Sequence, residues 1–116
     1  MSTSQGRSYG IFQKALRRGN VPAAVAAARE LPQLSLGDAL ELTVLIARKD
    51  ARRFQRAAAR WLLRYLEEHP DVTIEEAVMA ASCLAALPGA SYGEAAQTLR
   101  TMAERATRRR RARGVA

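Results

Sequence analysis

Residues 50–68 read DARRFQRAAARWLLRYLEE, and the spacing of the apolar residues in this stretch decides the fold. Phe54, Ala57, Ala58, Trp61, Leu62, Tyr65 and Leu66 recur with the 3.6-residue period of an amphipathic helix, from about Ala51 to Glu68. Asp50 marks its cap, and Pro70 separates it from the next helical segment. Trp61 is the only tryptophan in the chain, and on such a helix it is expected at the centre of the core. No segment alternates with the period of two that a half-buried strand requires. The expectation is therefore an all-α fold without a sheet.

Helix punctuation continues in both directions from this stretch. A first helix is expected over residues 9–18, with Ile11, Phe12, Ala15 and Leu16 on one face. Gly19 ends it, and Asn20 caps a second helix that carries Pro22 in its first turn and stops before Pro32. Ser35 with Asp38 opens a third helix, burying Leu36, Ala39, Leu40, Val44 and Ala47. Thr73 with Glu76 is a full capping box for a fifth helix. Residues 77–90 carry no charge, and this fifth helix is expected to be buried through Ile74, Ala77, Val78, Ala81, Leu84 and Ala85. Ser91 with Glu94 reads as a second full capping box and opens a sixth helix, burying Tyr92, Ala95, Ala96, Leu99, Met102 and Ala103. The chain thus reads as about six helices forming three antiparallel hairpins. One helical domain spans residues 9–105, between a disordered N-terminus (1–8) and a basic disordered tail (106–116).

An offset of 38 residues aligns the third and fourth helices with the fifth and sixth. Ser35 falls on Thr73, Leu36 on Ile74, Leu40 on Val78 and Ile46 on Leu84. Phe54 falls on Tyr92, Ala57 on Ala95 and Trp61 on Leu99. This resembles the helical-repeat class that includes tetratricopeptide and HEAT repeats, although the tetratricopeptide residue pattern is absent. Two amphipathic hairpins of similar composition would align equally well. The architecture is either a compact helix bundle or a short α-solenoid-like stack. The run LPQLSLGDALELTVLIARKDARRFQRAAARWLLRYLEE, residues 31–68, also resembles a family of small helical proteins of high-GC actinobacteria, over most of residues 11–105. That resemblance implies a compact helical fold and carries no activity and no functional residues.

Composition bounds the function. The chain has 116 residues and a net charge of +8, with one cysteine and one histidine. The charge is concentrated: Arg105, Arg108, Arg109, Arg110, Arg111 and Arg113 lie in a stretch without an acid, and the rest of the chain nets only +2. Seventeen of the 19 basic residues are arginine, which a GC-rich coding sequence would produce by itself. A single cysteine excludes an internal disulfide and suits a cytoplasmic setting. The polar first ten residues carry no signal-peptide core, and no apolar run is long enough for a membrane span.

No constellation for catalysis stands out. Ser82 and Cys83 have no histidine to activate them, since His69 lies at the end of helix four and reads as a helix-terminal residue favoured by the dipole. Glu67, Glu68, His69 and Asp71 could offer metal ligands, but the two glutamates point about 100° apart on a helix. Gly89 and Gly93 lack the following lysine of a phosphate loop. No enzyme activity, cofactor or metal is expected. Two surfaces remain as candidates. One is the arginine tail. The other is a ridge on helix four, where Arg52, Arg56, Arg60 and Arg64 recur every four residues. The leading expectation is a non-enzymatic helical scaffold that binds a protein partner. The alternative is sequence-independent nucleic-acid binding through the tail and the ridge.

Overall fold

The computed structural model describes residues 2–115, with side chains from residue 6 to residue 114. Six helices are present: α1 (Ser2–Arg18), α2 (Val21–Arg29), α3 (Leu36–Lys49), α4 (Ala51–Glu68), α5 (Ile74–Ala86) and α6 (Tyr92–Val115). Among the described residues there is no strand.

Local chemistry sets most of the boundaries. Gly19 turns the chain at φ +70°, where a side chain would be strained, and its N–H donates to Leu16 O. Asn20 accepts from Ala23 N, and Ser35 Oγ accepts from Asp38 N. Thr73 and Glu76 form the reciprocal capping box. Asp50 makes no side-chain cap and instead pairs with Arg53 at 3.3 Å. At Ser91 only the backbone carbonyl is engaged, accepting from Ala95 N.

Sequential helices form the closest pairs: α1 with α2, α3 with α4, and α5 with α6. In addition α4 packs on α5, and α3 packs on α6. The last four helices therefore close a ring, with α3 opposite α5 and α4 opposite α6. This is a bundle. A linear stack of hairpins would instead set α3 on α5 and α4 on α6. Inside the ring lie Leu40, Trp61, Tyr65, Ala80, Leu84, Leu87 and Leu99. Trp61 is buried, stacks on Tyr65 at 5.3 Å, and donates from Nε1 to Leu36 O at 3.0 Å. The α1–α2 pair is held outside the ring by its own small core of Phe12, Ala15, Ala24 and Ala27. Leu42 of α3 packs against both cores.

Three expectations need correction. The first concerns α5: Ala80, Leu84 and Leu87 face the core, whereas Ile74 is 83% exposed, Val78 59% exposed, and Ala81 and Ala85 also face solvent. A helix that is apolar on nearly every side gives periodicity nothing to select. The ring chose the side bearing two leucines. The second concerns Ile11 and Tyr92, which are exposed; Tyr92 instead lies under the Arg48 guanidinium at 3.7 Å from the ring centroid.

The third concerns the termini, expected to be disordered. Residues 2–8 continue α1, and Ser8 bonds Glu30 across the α1–α2 hairpin. Residues 106–115 continue α6, with Ala106 fully buried. Position 1 and position 116 lie outside the described residues. The 38-residue offset places caps at Ser35 and Thr73 and buried residues at Ala57 and Ala95, Trp61 and Leu99. It pairs buried Leu36 and Leu40 with exposed Ile74 and Val78.

Candidate functional site

The outward side of α5 is the most unusual surface of the molecule. Its Cβ directions advance by 100° per residue, so Ile74, Val78, Ala81, Ser82 and Ala85 share the face opposite the core, with Met79 at its edge. All six are exposed. Glu75 is the one charged residue bordering this face, and between Glu76 and Glu94 the chain carries no charge at all. A groove of about 460 Å³ runs alongside, between α5 and α6, lined by Met79, Met102, Arg105 and the carboxylates of Glu75 and Glu76. An exposed helix face without charge is the opposite of the usual amphipathic pattern, in which the solvent side is polar.

The arginines divide into bound and free. Arg109 pairs with Asp71 at 3.3 Å and with Glu76 at 3.4 Å, and Arg113 pairs with Asp71 at 2.9 Å. The Asp71 carboxyl is held below its usual range first by the Arg113 hydrogen bond. Glu76 is held down first by the Thr73 N–H and then by Arg109. Arg108 lies 3.8 Å from Glu104, and Arg64 pairs with Glu68 on the next turn. Arg105, Arg110 and Arg111 are exposed and enter no ion pair among the described residues. On α4, Arg52, Arg56 and Arg60 are exposed and likewise unpaired.

The tail and the ridge meet at one end only. Arg64 turns from the ridge towards Glu68 and the cleft below, which Arg110 and Arg111 also line. Arg52, Arg56 and Arg60 lie further along α4, outside that cleft. Sequence reading missed the role of Asp71 and Glu76 as a clamp on α6, a pairing across 33 to 42 residues that no local pattern signals.

That cleft, of about 840 Å³, lies between the start of α3, the end of α4 and the last turns of α6. Four of its charges are spent on one another, while Arg110 and Arg111 on its rim enter no ion pair among the described residues. Glu41 takes a bidentate pair from Arg100 at 2.7 and 2.9 Å, and Glu68 takes Arg64. His69 borders the cleft, is 2% exposed and packs on Tyr65 at 6.0 Å between ring centroids. Burial pushes its imidazole below the usual range. Glu68 and Asp71 oppose that push, while Arg110 and Arg109 add to it. That burial disfavours the charged imidazolium which the charge–dipole contact expected from sequence would need, and His69 ends α4 through its backbone N–H on Tyr65 O. Cys83 is half-buried, and desolvation raises its thiol pKa, the opposite of an activated nucleophile. Among the described residues no group of three His, Cys, Asp or Glu side chains is placed to hold a metal ion.

The His69 environment has a measurable consequence. Its folded pKa lies below the unfolded value near 6.5, so on acidification the unfolded chain takes up the proton first. Stability is expected to fall as pH drops below about 6.5, with a slope of at most ~1.4 kcal/mol per pH unit for one proton. The depressed Asp71 and Glu76 carboxyls act in a separate, more acidic window, where their pairs are lost as pH falls through the folded pKa values. Urea melts between pH 7.5 and 5.5 should show the first limb in the wild type and its absence in His69→Gln. Equal slopes in both proteins would refute the assignment.

No protein-family model matches the chain, and comparisons with curated proteins and with solved structures give no significant match. Among the described residues no helix is long and apolar enough to cross a membrane.

Proposed function

We propose that this chain is a non-enzymatic docking module that seats a helix of a protein partner along the outward face of α5. The observation that carries the reading is the charge-free apolar stripe Ile74, Val78, Ala81 and Ala85, left in solvent by a bundle whose core is complete without it. The partner's form follows from area. A 13-residue helix is about 20 Å long and about 10 Å wide, so the stripe offers roughly 200 Å². That suits one amphipathic helix and falls well short of the ~800 Å² per partner of a stable interface between two folded copies. The net charge of +8 opposes a second copy. Met79 and Met102 give the adjoining groove adaptable walls. The lone thiol of Cys83 fits a reducing cytoplasm.

The test uses the full chain and a Val78→Glu/Ala85→Glu variant. Both sites are exposed, so the melting temperature should change by no more than about 2 °C. From nuclease-treated lysate the wild type should capture a protein that the variant loses, and an isolated amphipathic helix of that protein should bind the wild type alone. Capture unaffected by the variant, or no capture at all, would overturn the reading. So would a wild-type dimer in sedimentation that the variant abolishes, because the occupant would then be a second copy.

A further inference from the structure

We infer that the outward face of α4 is a contact surface for the phosphate backbone of a nucleic-acid duplex, recognised without regard to sequence. This goes beyond the docking reading and stands on a different face, so either can fail alone. Arg52, Arg56 and Arg60 succeed one another at four-residue intervals, about 6 Å apart along the axis, in a slanted row. All three are exposed, and among the described residues none enters an ion pair, a hydrogen bond or an aromatic stack. Their fellow arginines show that pairing is available in this fold: Arg53 takes Asp50, Arg64 takes Glu68, and Arg48 lies over Tyr92.

The row also runs against local helix chemistry. The first turn of α4 contains no acid and carries Arg52 and Arg53, although the positive end of the helix dipole favours carboxylates there. Between the arginines stand Gln55 and Ala59, neither of which competes for a phosphate. The first acid on this side is Glu67, beyond exposed Leu63. Arg52, Arg56 and Arg60 are all exposed, so nothing in the bundle covers the row.

Geometry limits what the surface reads. A convex row of three guanidinium groups spans about 12 Å, enough for about three phosphates. It holds no polar side chain in position against base edges, so affinity should be independent of sequence. A single exposed apolar residue, Leu63, is too little for insertion into a lipid surface, which favours a duplex over a membrane. Of the unpaired tail residues, Arg110 and Arg111 line the cleft at the Arg64 end of the row, whereas Arg105 lies at the α5–α6 groove and does not adjoin it.

The experiment is fluorescence anisotropy with an unrelated 20-base-pair DNA duplex, between 50 and 200 mM salt. Three phosphates predict a log–log salt slope near −2.7, or about a 40-fold loss across that range. Arg56→Gln/Arg60→Gln should bring the slope close to −1, and Arg56→Glu/Arg60→Glu should reduce affinity at least tenfold at 50 mM. Arg105→Gln, at the α5–α6 groove, should change affinity less than twofold. All these sites are exposed, and unchanged circular dichroism will show that the variants fold. The inference is overturned by an absence of binding at 50 mM, by a tail variant that loses as much as the ridge variant, or by tighter binding to phosphatidylserine vesicles than to the duplex.

Discussion

Trp61→Ala is expected to lower stability by about 3–5 kcal/mol, a large part of what a domain of this size has to lose. The indole is the largest side chain in a core built mostly from alanine and leucine, with only 5% aromatic residues in the whole chain. Three contributions are lost together: buried apolar surface, the stack on Tyr65 at 5.3 Å, and the hydrogen bond to Leu36 O. The last ties α4 to the first turn of α3, so the cavity would open where the two helices meet. Trp61→Phe separates the contributions. It keeps most of the ring volume and removes the donor, and should cost about 0.5–1.5 kcal/mol for the lost hydrogen bond, since Leu36 O keeps its partner in the α3 ladder. Leu63→Ala, two positions along the same helix but exposed, should stay within about 0.5 kcal/mol. Urea melts of the three variants test the ordering. A loss below about 1 kcal/mol for Trp61→Ala would mean that the ring core closes without its indole.

The stripe of α4 is legible in the sequence because the helix is sharply two-sided. Four of its seven predicted stripe residues are buried, and the other three are half-buried. Gly19, Asn20, Ser35 and the Thr73–Glu76 box are legible for a similar reason, since each acts within four residues of itself. The face of α5 is not legible from periodicity, because Ile74, Val78, Ala81 and Ala85 are as apolar as Ala80, Leu84 and Leu87. One signal is present: a helix with no polar side must expose an apolar one unless it is wrapped on all sides, and a small six-helix chain has few helices to wrap it with. The ridge arginines are identified by spacing. Which arginines are free cannot be read, because Arg109 and Arg113 find their carboxylates in a distant loop and the helix start beside it.

That loop makes removal of residues 105–116 a second large test. A free basic arm could be cut away without effect on the fold. Here the same residues are the last turns of α6, and they close one end of the ring. Ala106 is fully buried, and Arg109 and Arg113 bridge to Asp71 and Glu76, on either side of the α5 cap. His69 and Tyr65 lie beneath this end, so cutting α6 would bring water to a buried imidazole and a buried phenol. The apolar loss alone, Ala106 and the ring edges it helps cover, is about 2 kcal/mol at ~0.8 kcal/mol per buried methylene-sized group. That corresponds to a melting temperature about 5–10 °C lower for a domain of this length. Two features identify the cause. Truncation should raise the His69 pKa towards its ordinary value, which proton-detected titration of the single imidazole reads directly. The double variant Arg109→Gln/Arg113→Gln should reproduce part of the destabilisation while leaving Ala106 in place. An unchanged melting temperature together with an unchanged His69 titration would show that the end of α6 is not docked, and that these arginines stand free in solution.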